Sequence, residues 1–294
     1  MHTPVTAPIT VRRLHLPITS RIDPVIFGEE PETSSIFLAI SRMLPYVEPY
    51  LIRSMQEAKQ YVTSPALAED LRLFCAQEGQ HYRQHRRFND AVRLPPMPAL
   101  ERLEAEFEAD CQRFTRTRSL RFNLAYAEGF EAFTVGFALF CLEGGWLEHL
   151  RPGPRELIEW HLLEELEHRT VAFDVYEQVC GDYGYRVRVA LFAQWHLLRF
   201  VFRATWALLA AQDAPGATSA RPRGGLLRTL QRSCESFFYL LPMTLRTYLP
   251  WYTPRNLAIP AFAEERSRYY AELAAGRSAV AVQGPARELN EERP

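Results

Sequence analysis

The sequence predicts an all-α protein. Three observations carry that reading: apolar residues recur at helical spacing along most of the chain, Pro and Ser-Pro stand where helices begin, and alternating apolar–polar runs that would mark strands are almost absent. The 294 residues can bury a sizeable core, and 47% hydrophobic against 23% charged residues is an ordinary globular balance.

Residues 1–30 are Pro-rich and aperiodic and read as an extended N-terminal arm. A short helix is expected from Thr33 to Met43, stopping near Pro45. A second would begin near Pro49, because proline fits only a first turn. Ser64-Pro65 starts a third helix, Ser as N-cap and Pro as first helical residue, running to Val92 before LPPMP breaks it. Residues 98–117 show charges of alternating sign at helical spacing. Residues 118–148 form a long apolar helix containing Glu128 and Glu131, RPGP at 151–154 is a loop, and Arg155 to Cys180 is the next helix. Residues 31–182 are thus expected to form a bundle. Residues 183–275 would supply apolar C-terminal helices (186–211, 225–248 and 259–275) that pack on it. The spacer QDAPGATSARPRGG divides the first two, and 276–294 read as a loose polar tail.

Composition excludes several classes of function. With 34 Lys+Arg against 35 Asp+Glu there is no bulk electrostatic grip on nucleic acid. No G-x-G-x-x-G, P-loop or G-x-S-x-G is present. Cys75, Cys111, Cys141, Cys180 and Cys234 are far apart and odd in number. They read as reduced thiols of a cytoplasmic protein, and the N-terminus lacks the apolar core of a signal peptide.

The chemistry lies in a repeated tetrad. The third helix carries Glu78-Gly-Gln-His81 and the helix at 155–180 carries Glu165-Leu-Glu-His168. Residues i and i+3 share a helix face, so each pair can grip one metal ion. Both tetrads sit in apolar surroundings, where an unpaired Glu or His is costly. Two further carboxylates are expected from the other core helices: Glu48 in LPYVEPYLI, and Glu131 in AEGFEAFTV with Glu128 as its alternative. Four carboxylates and two divalent cations would cancel in charge, and an all-O/N donor set favours Fe or Mn. His161 falls on the arc of Glu165 and His168 and reads either as a seventh ligand or as a partner of a ligating carboxylate. His85 reads as a surface or supporting group, Glu167 as solvated, and Glu164 as a substitute ligand.

This pattern resembles the ferritin-like di-iron and di-manganese bundles, in which two helices give Glu and two give Glu-x-x-His. The stretches AQEGQHYRQHRRFN (76–89), FEAFTV (130–135) and WHLLEELEHRTVAFDVY (160–176), with Glu48, resemble the bacterial family of predicted metal-dependent hydrolases. Residues 250–258 (PWYTPRNLA) depart from that family's His/Asp-containing segment. The run His161, Glu165, His168 is similar in ligand pattern to the ferritin-like arylamine N-oxygenases, which use two Fe ions and an extra histidine.

The resemblances imply a dinuclear centre, with metal A on Glu48, Glu78 and His81, metal B on Glu131, Glu165, His168 and His161, and Glu78 and Glu165 as bridges. The main reading is an oxygenase or oxidase that oxidises a small organic substrate with O2, at a C–H bond or an amine nitrogen, and the alternative is two-metal hydrolysis by a bridging hydroxide. Tyr126, Phe130, Phe133 and Phe137 stand near Glu131 as candidate pocket walls or core. In 186–211 a stripe of Arg188, His196, Arg199 and Arg203 interrupts the apolar run too often for a membrane span, and 225–248 repeats the theme with Arg228, Arg232, Glu235 and Arg246. Those faces are expected to pack into the bundle or a homodimer, with a peripheral membrane contact and a greasy substrate channel as the other readings.

Overall fold

A computed structural model describes residues 8–14, 16, 18, 21–212 and 225–276. The spacer at 213–224 and the tail at 277–294 lie outside the described residues, as do the side chains of Arg228 and Arg232. The described residues are all-α: α1 (Pro31–Ala58), α2 (Pro65–Ala91), α3 (Pro98–Thr117), α4 (Leu120–Glu143), α5 (Pro154–His168), α6 (Val171–Val179), α7 (Tyr183–Gln212), α8 (Gly225–Thr247) and α9 (Ala261–Ala274). Ladders of strands are absent among them. Two isolated bridges, Ile22 to Val92 and Phe27 to Leu150, tie the N-terminal segment to the ends of α2 and of the α4–α5 connection.

Four helical rods close a ring. α1 packs on α2 and α4, and the α5–α6 pair packs on both α2 and α4. α7 lies across α1 and α4, α3 fills the corner between α1 and α7, and α8 and α9 lie against α4 and α5. By length and composition α4 alone among the described helices could cross a membrane, but 78% of its apolar window is buried in this protein core.

Three expectations about helix limits are corrected. The predicted break between Met43 and Pro49 does not occur: α1 runs through both Pro45 and Pro49. Pro45 has no N–H to give the Ser41 carbonyl one turn back. That carbonyl instead accepts from Asn89 Nδ2 of α2 at 2.8 Å, so the lost backbone bond is replaced from the neighbouring helix. The predicted helix at 118–148 ends at Glu143. Gly145 takes φ 68°, the left-handed conformation that closes helices, and a short 3-10 turn at Trp146–His149 follows. The predicted helix from Arg155 to Cys180 divides at Arg169–Thr170 into α5 and α6. The starts at Ser64 and Ser119 are capped as their chemistry requires, each hydroxyl accepting from a backbone N–H three residues on.

The five cysteines are free thiols. One face of α7 (Val189, Ala193, Leu197, Phe200, Ala204) is buried against the ring, while Trp195, Phe202 and Trp206 on the other face are 61–66% exposed.

Candidate metal centre

All seven residues singled out from the sequence converge inside the ring, none more than 7% exposed. Glu48 comes from α1, Glu78 and His81 from α2, Glu131 from α4, and His161, Glu165 and His168 from α5. Their donor atoms form three overlapping groups able to hold a metal ion: Glu48, His81, His161; Glu78, His81, Glu165; and Glu78, Glu131, His168.

The two sides share two carboxylates. Glu78 Oε1 is 3.4 Å from His81 Nδ1 and 3.4 Å from His168 Nε2. Glu165 turns Oε1 toward His161 Nε2 (2.9 Å) and His81 Nδ1 (3.9 Å), and Oε2 toward His168 Nε2 (3.6 Å). Glu131 Oε2 lies 3.4 Å from His168, and Glu48 Oε1 lies 3.9 Å from His161. His161 therefore stands with Glu48 and His81. The expected grouping of His161 with Glu131 is corrected: the two residues lie on opposite sides of Glu165.

Half of these residues' side-chain polar atoms have no partner of their own. Both oxygens of Glu48 and Glu131, Glu78 Oε1, His81 Nδ1 and His168 Nε2 are buried without a hydrogen bond. Buried polar atoms are normally satisfied, and here seven orphaned ones belong to this one cluster. Four negative charges and three imidazole lone pairs fit two divalent cations in both charge and donor chemistry.

The remaining nitrogen of each histidine is held from behind. His81 Nε2 donates to Glu164 Oε2 (3.0 Å), and His168 Nδ1 donates to Gln77 Oε1 (3.0 Å). A longer chain holds His161. Its Nδ1 donates to His85 Nε2 (2.7 Å), His85 Nδ1 donates to Ser41 Oγ (2.9 Å), and Ser41 Oγ donates to Asn89 Oδ1 (2.7 Å). Ser41 Oγ gives its proton to Asn89, so this direction lets every donor of the chain meet an acceptor, and to bind cations each of the three histidines would turn an unprotonated nitrogen to the centre.

Protonation reflects crowding. Burial, then repulsion from Glu78, Glu165 and Glu131, pushes Glu48 well above the carboxylate range. Burial and Glu165 push Glu131 up to about 8. Burial would lower His81, but Glu164 and Glu78 override it and raise it to about 9. Burial, His161 and His81 hold His85 well below the usual imidazole range, so it is a neutral link in its chain.

Several neighbours behave differently from expectation. Glu164 is not placed as a substitute ligand: its oxygens take Arg12, Trp160 Nε1 and His81 Nε2. Glu167 is not solvated. It is 6% exposed, paired with Arg12 at 2.6 Å, and accepts from Gln77 Nε2 at 3.0 Å. Glu128, the alternative to Glu131, is paired with Arg186 of α7 at 2.8 Å and faces away from the cluster. His85 is the supporting group of its two readings and is buried. Phe130, Phe133 and Phe137 line a cavity, whereas Tyr126 is packed in the core with its hydroxyl on His196 Nδ1.

Sequence reasoning missed Arg12, Gln77, Ser41, Asn89 and Thr134. Gln77 carried a signal, a polar residue one turn before His81 on an apolar helix face. Arg12 carried none, since only the folded chain brings it to α5.

A family model described as predicted metal-dependent hydrolase matches residues 10–257. Searches of curated proteins and of solved structures gave no match.

Proposed function

The chain belongs to the family of predicted metal-dependent hydrolases, and from that premise we propose that it is a hydrolase working at a pair of divalent cations. Glu48, His81 and His161 would hold one cation, Glu131 and His168 the other, and Glu78 and Glu165 would lie between them. The observation that carries this is the convergence of orphaned buried donors from α1, α2, α4 and α5. The ring and its two Glu-x-x-His pairs support reading the fold as ferritin-like.

When bound, such a pair of cations polarises a carbonyl or phosphoryl oxygen and acidifies water. The chain's own residues do the rest. Glu164, Gln77 and His85 fix the three imidazoles in orientation and tautomer. Thr134 donates to Glu165 Oε2 at 2.8 Å and steadies that carboxylate. Phe74 and Trp160 pack edge-on against His168 and His81 and keep bulk water away.

A second reading is oxidation of an organic substrate with O2 at two Fe ions, or at Fe and Mn. The donor set favours it: four carboxylates, three imidazoles and no thiolate suit those metals. One experiment separates the readings. The metal-free protein is loaded with Zn(II), Mn(II) or anaerobic Fe(II) and then given neutral esters or air. Ester cleavage with Zn(II) or Mn(II) that is lost in Glu78→Ala supports hydrolysis. O2 uptake confined to the Fe(II) protein, with no ester cleavage, selects oxidation and rejects hydrolysis.

A further inference from the structure

We propose that the cavity enclosed by α1, α4, α7 and α8 binds the apolar body of an uncharged substrate and presents it to the Glu165 side of the cluster. The inference deepens the metal reading above and rests on it for the chemistry, though not for the binding.

The cavity holds about 310 Å³, within the range of roughly 300–1,000 Å³ typical of small-molecule sites. Its wall is hydrocarbon and aromatic, and among the described residues that line it the hydroxyl-bearing side chains are Thr33 and Thr134. The Thr33 hydroxyl is engaged with Glu30 Oε2 at 2.8 Å. No charged group lines the space, so an ionised substrate group inside it would be desolvated without compensation. This sets the chemical class: an acyl chain or arene carrying no charge along the part that enters.

The two ends of the cavity differ. At the inner end Thr134 lines the space and donates to Glu165 Oε2 at 2.8 Å, so one hydroxyl separates the apolar wall from a carboxylate of the cluster. Phe130, Phe133 and Phe137 stand one turn apart along the same side of α4 and continue the wall outward. At the outer end Ile36 and Leu198 line the space while being 37% and 45% exposed, which marks the mouth. A substrate entering there travels along phenyl rings and arrives at the one polar contact that touches the cluster.

The test is binding of the uncharged dye N-phenyl-1-naphthylamine to the full chain, read by fluorescence and by its displacement with 1-decanol. We expect saturable binding to one site, weakened at least tenfold by Ile40→Trp, which fills the space, and by Leu198→Glu, which charges the mouth. Leu198 is exposed, so that variant folds even if the larger Ile40 substitution does not. Phe238→Glu, on the exposed face of α8 outside the cavity, should leave affinity unchanged. The sulfonated analogue 8-anilinonaphthalene-1-sulfonate should bind at least tenfold more weakly. Unchanged affinity in Leu198→Glu, an equal loss in Phe238→Glu, or equal affinity for the sulfonate each overturns the proposal. Cation uptake is measured on the same proteins. Uptake without dye binding sinks this inference alone, and dye binding without uptake sinks the metal reading alone.

Discussion

Arg12 and Glu167 are 155 residues apart in sequence and 2.6 Å apart in space, both buried. The same guanidinium reaches Glu164 at 3.1 Å, so one arginine bridges two carboxylates behind the cluster. Arg12→Met would strand both. Leaving a buried charge unpaired costs about 3–5 kcal/mol, which urea unfolding should read directly. Cation affinity should fall as well, because Glu164 holds His81. A loss below about 1 kcal/mol would show that the pair is not buried in solution.

Glu78 and Glu165 each face histidines on both sides of the cluster. Glu78→Ala or Glu165→Ala should therefore lower cation content on both sides rather than on one. Elemental analysis of the purified variants reads this, and unchanged stoichiometry in both would count heavily against a dinuclear centre. For the intact chain, cation at a hundred times its dissociation constant should stabilise the fold by about 2.7 kcal/mol for each site filled, seen as a raised melting temperature.

Cation binding should release protons. With no cation present, Glu131 is raised to about 8 and carries a proton at neutral pH, and burial with its carboxylate neighbours pushes Glu48 well above the usual carboxylate range. His81, raised to about 9, is charged there too. Glu131 and His81 must lose those protons to coordinate, so affinity should rise with pH until about pH 9. Titration calorimetry in buffers of different ionisation enthalpy measures the count, which should exceed one proton per chain. A heat independent of buffer would contradict this protonation state.

Gln77→Leu removes the acceptor behind His168 Nδ1 while keeping side-chain bulk. Supporting residues of this kind typically change metal affinity about 10–100-fold, and a fall of that size is expected in a competitive chelator titration. Equal affinity in the variant would mean that His168 is oriented by packing against Phe74 alone.

Gly129 lets α4 and α7 approach. A Cβ built there would stand 2.4 Å from Ala190 Cα, closer than any real contact. Alanine favours helix by up to about 1 kcal/mol, but overpacking typically costs about 1–3 kcal/mol. Gly129→Ala should thus lower stability in denaturant melts; a net gain would show that the two helices separate easily.

The helices and the seven donors were legible in the sequence because both depend on local spacing. Helical period placed the apolar faces, and the i, i+3 pairs placed Glu78 with His81 and Glu165 with His168. What the sequence could not give was whatever depends on a distant partner. Pro45 reads locally as a stop, and only Asn89 from another helix makes it tolerable inside α1. Glu167 reads as solvated because its arginine sits in an aperiodic arm. Glu128 and Glu131 are indistinguishable by composition, and Arg186, 58 residues further on, decides between them. Helical arc places His161 beside Glu165 and His168 but says nothing of how Glu165 turns its two oxygens, Oε1 to His161 and Oε2 to His168.

The chain from Asn89 to His161 begins at a proline. Because Pro45 cannot donate, Asn89 spends its amide on the Ser41 carbonyl, and its own oxygen is then fixed to receive the Ser41 hydroxyl. That hydroxyl receives His85, which in turn receives His161. A missing hydrogen atom in the backbone of α1 is thus transmitted, link by link, into which nitrogen of an imidazole more than a hundred residues later stays free to bind. Restoring an ordinary amide at position 45 would repair the helix and, by giving Asn89 a competitor, unsettle the tautomer at the far end.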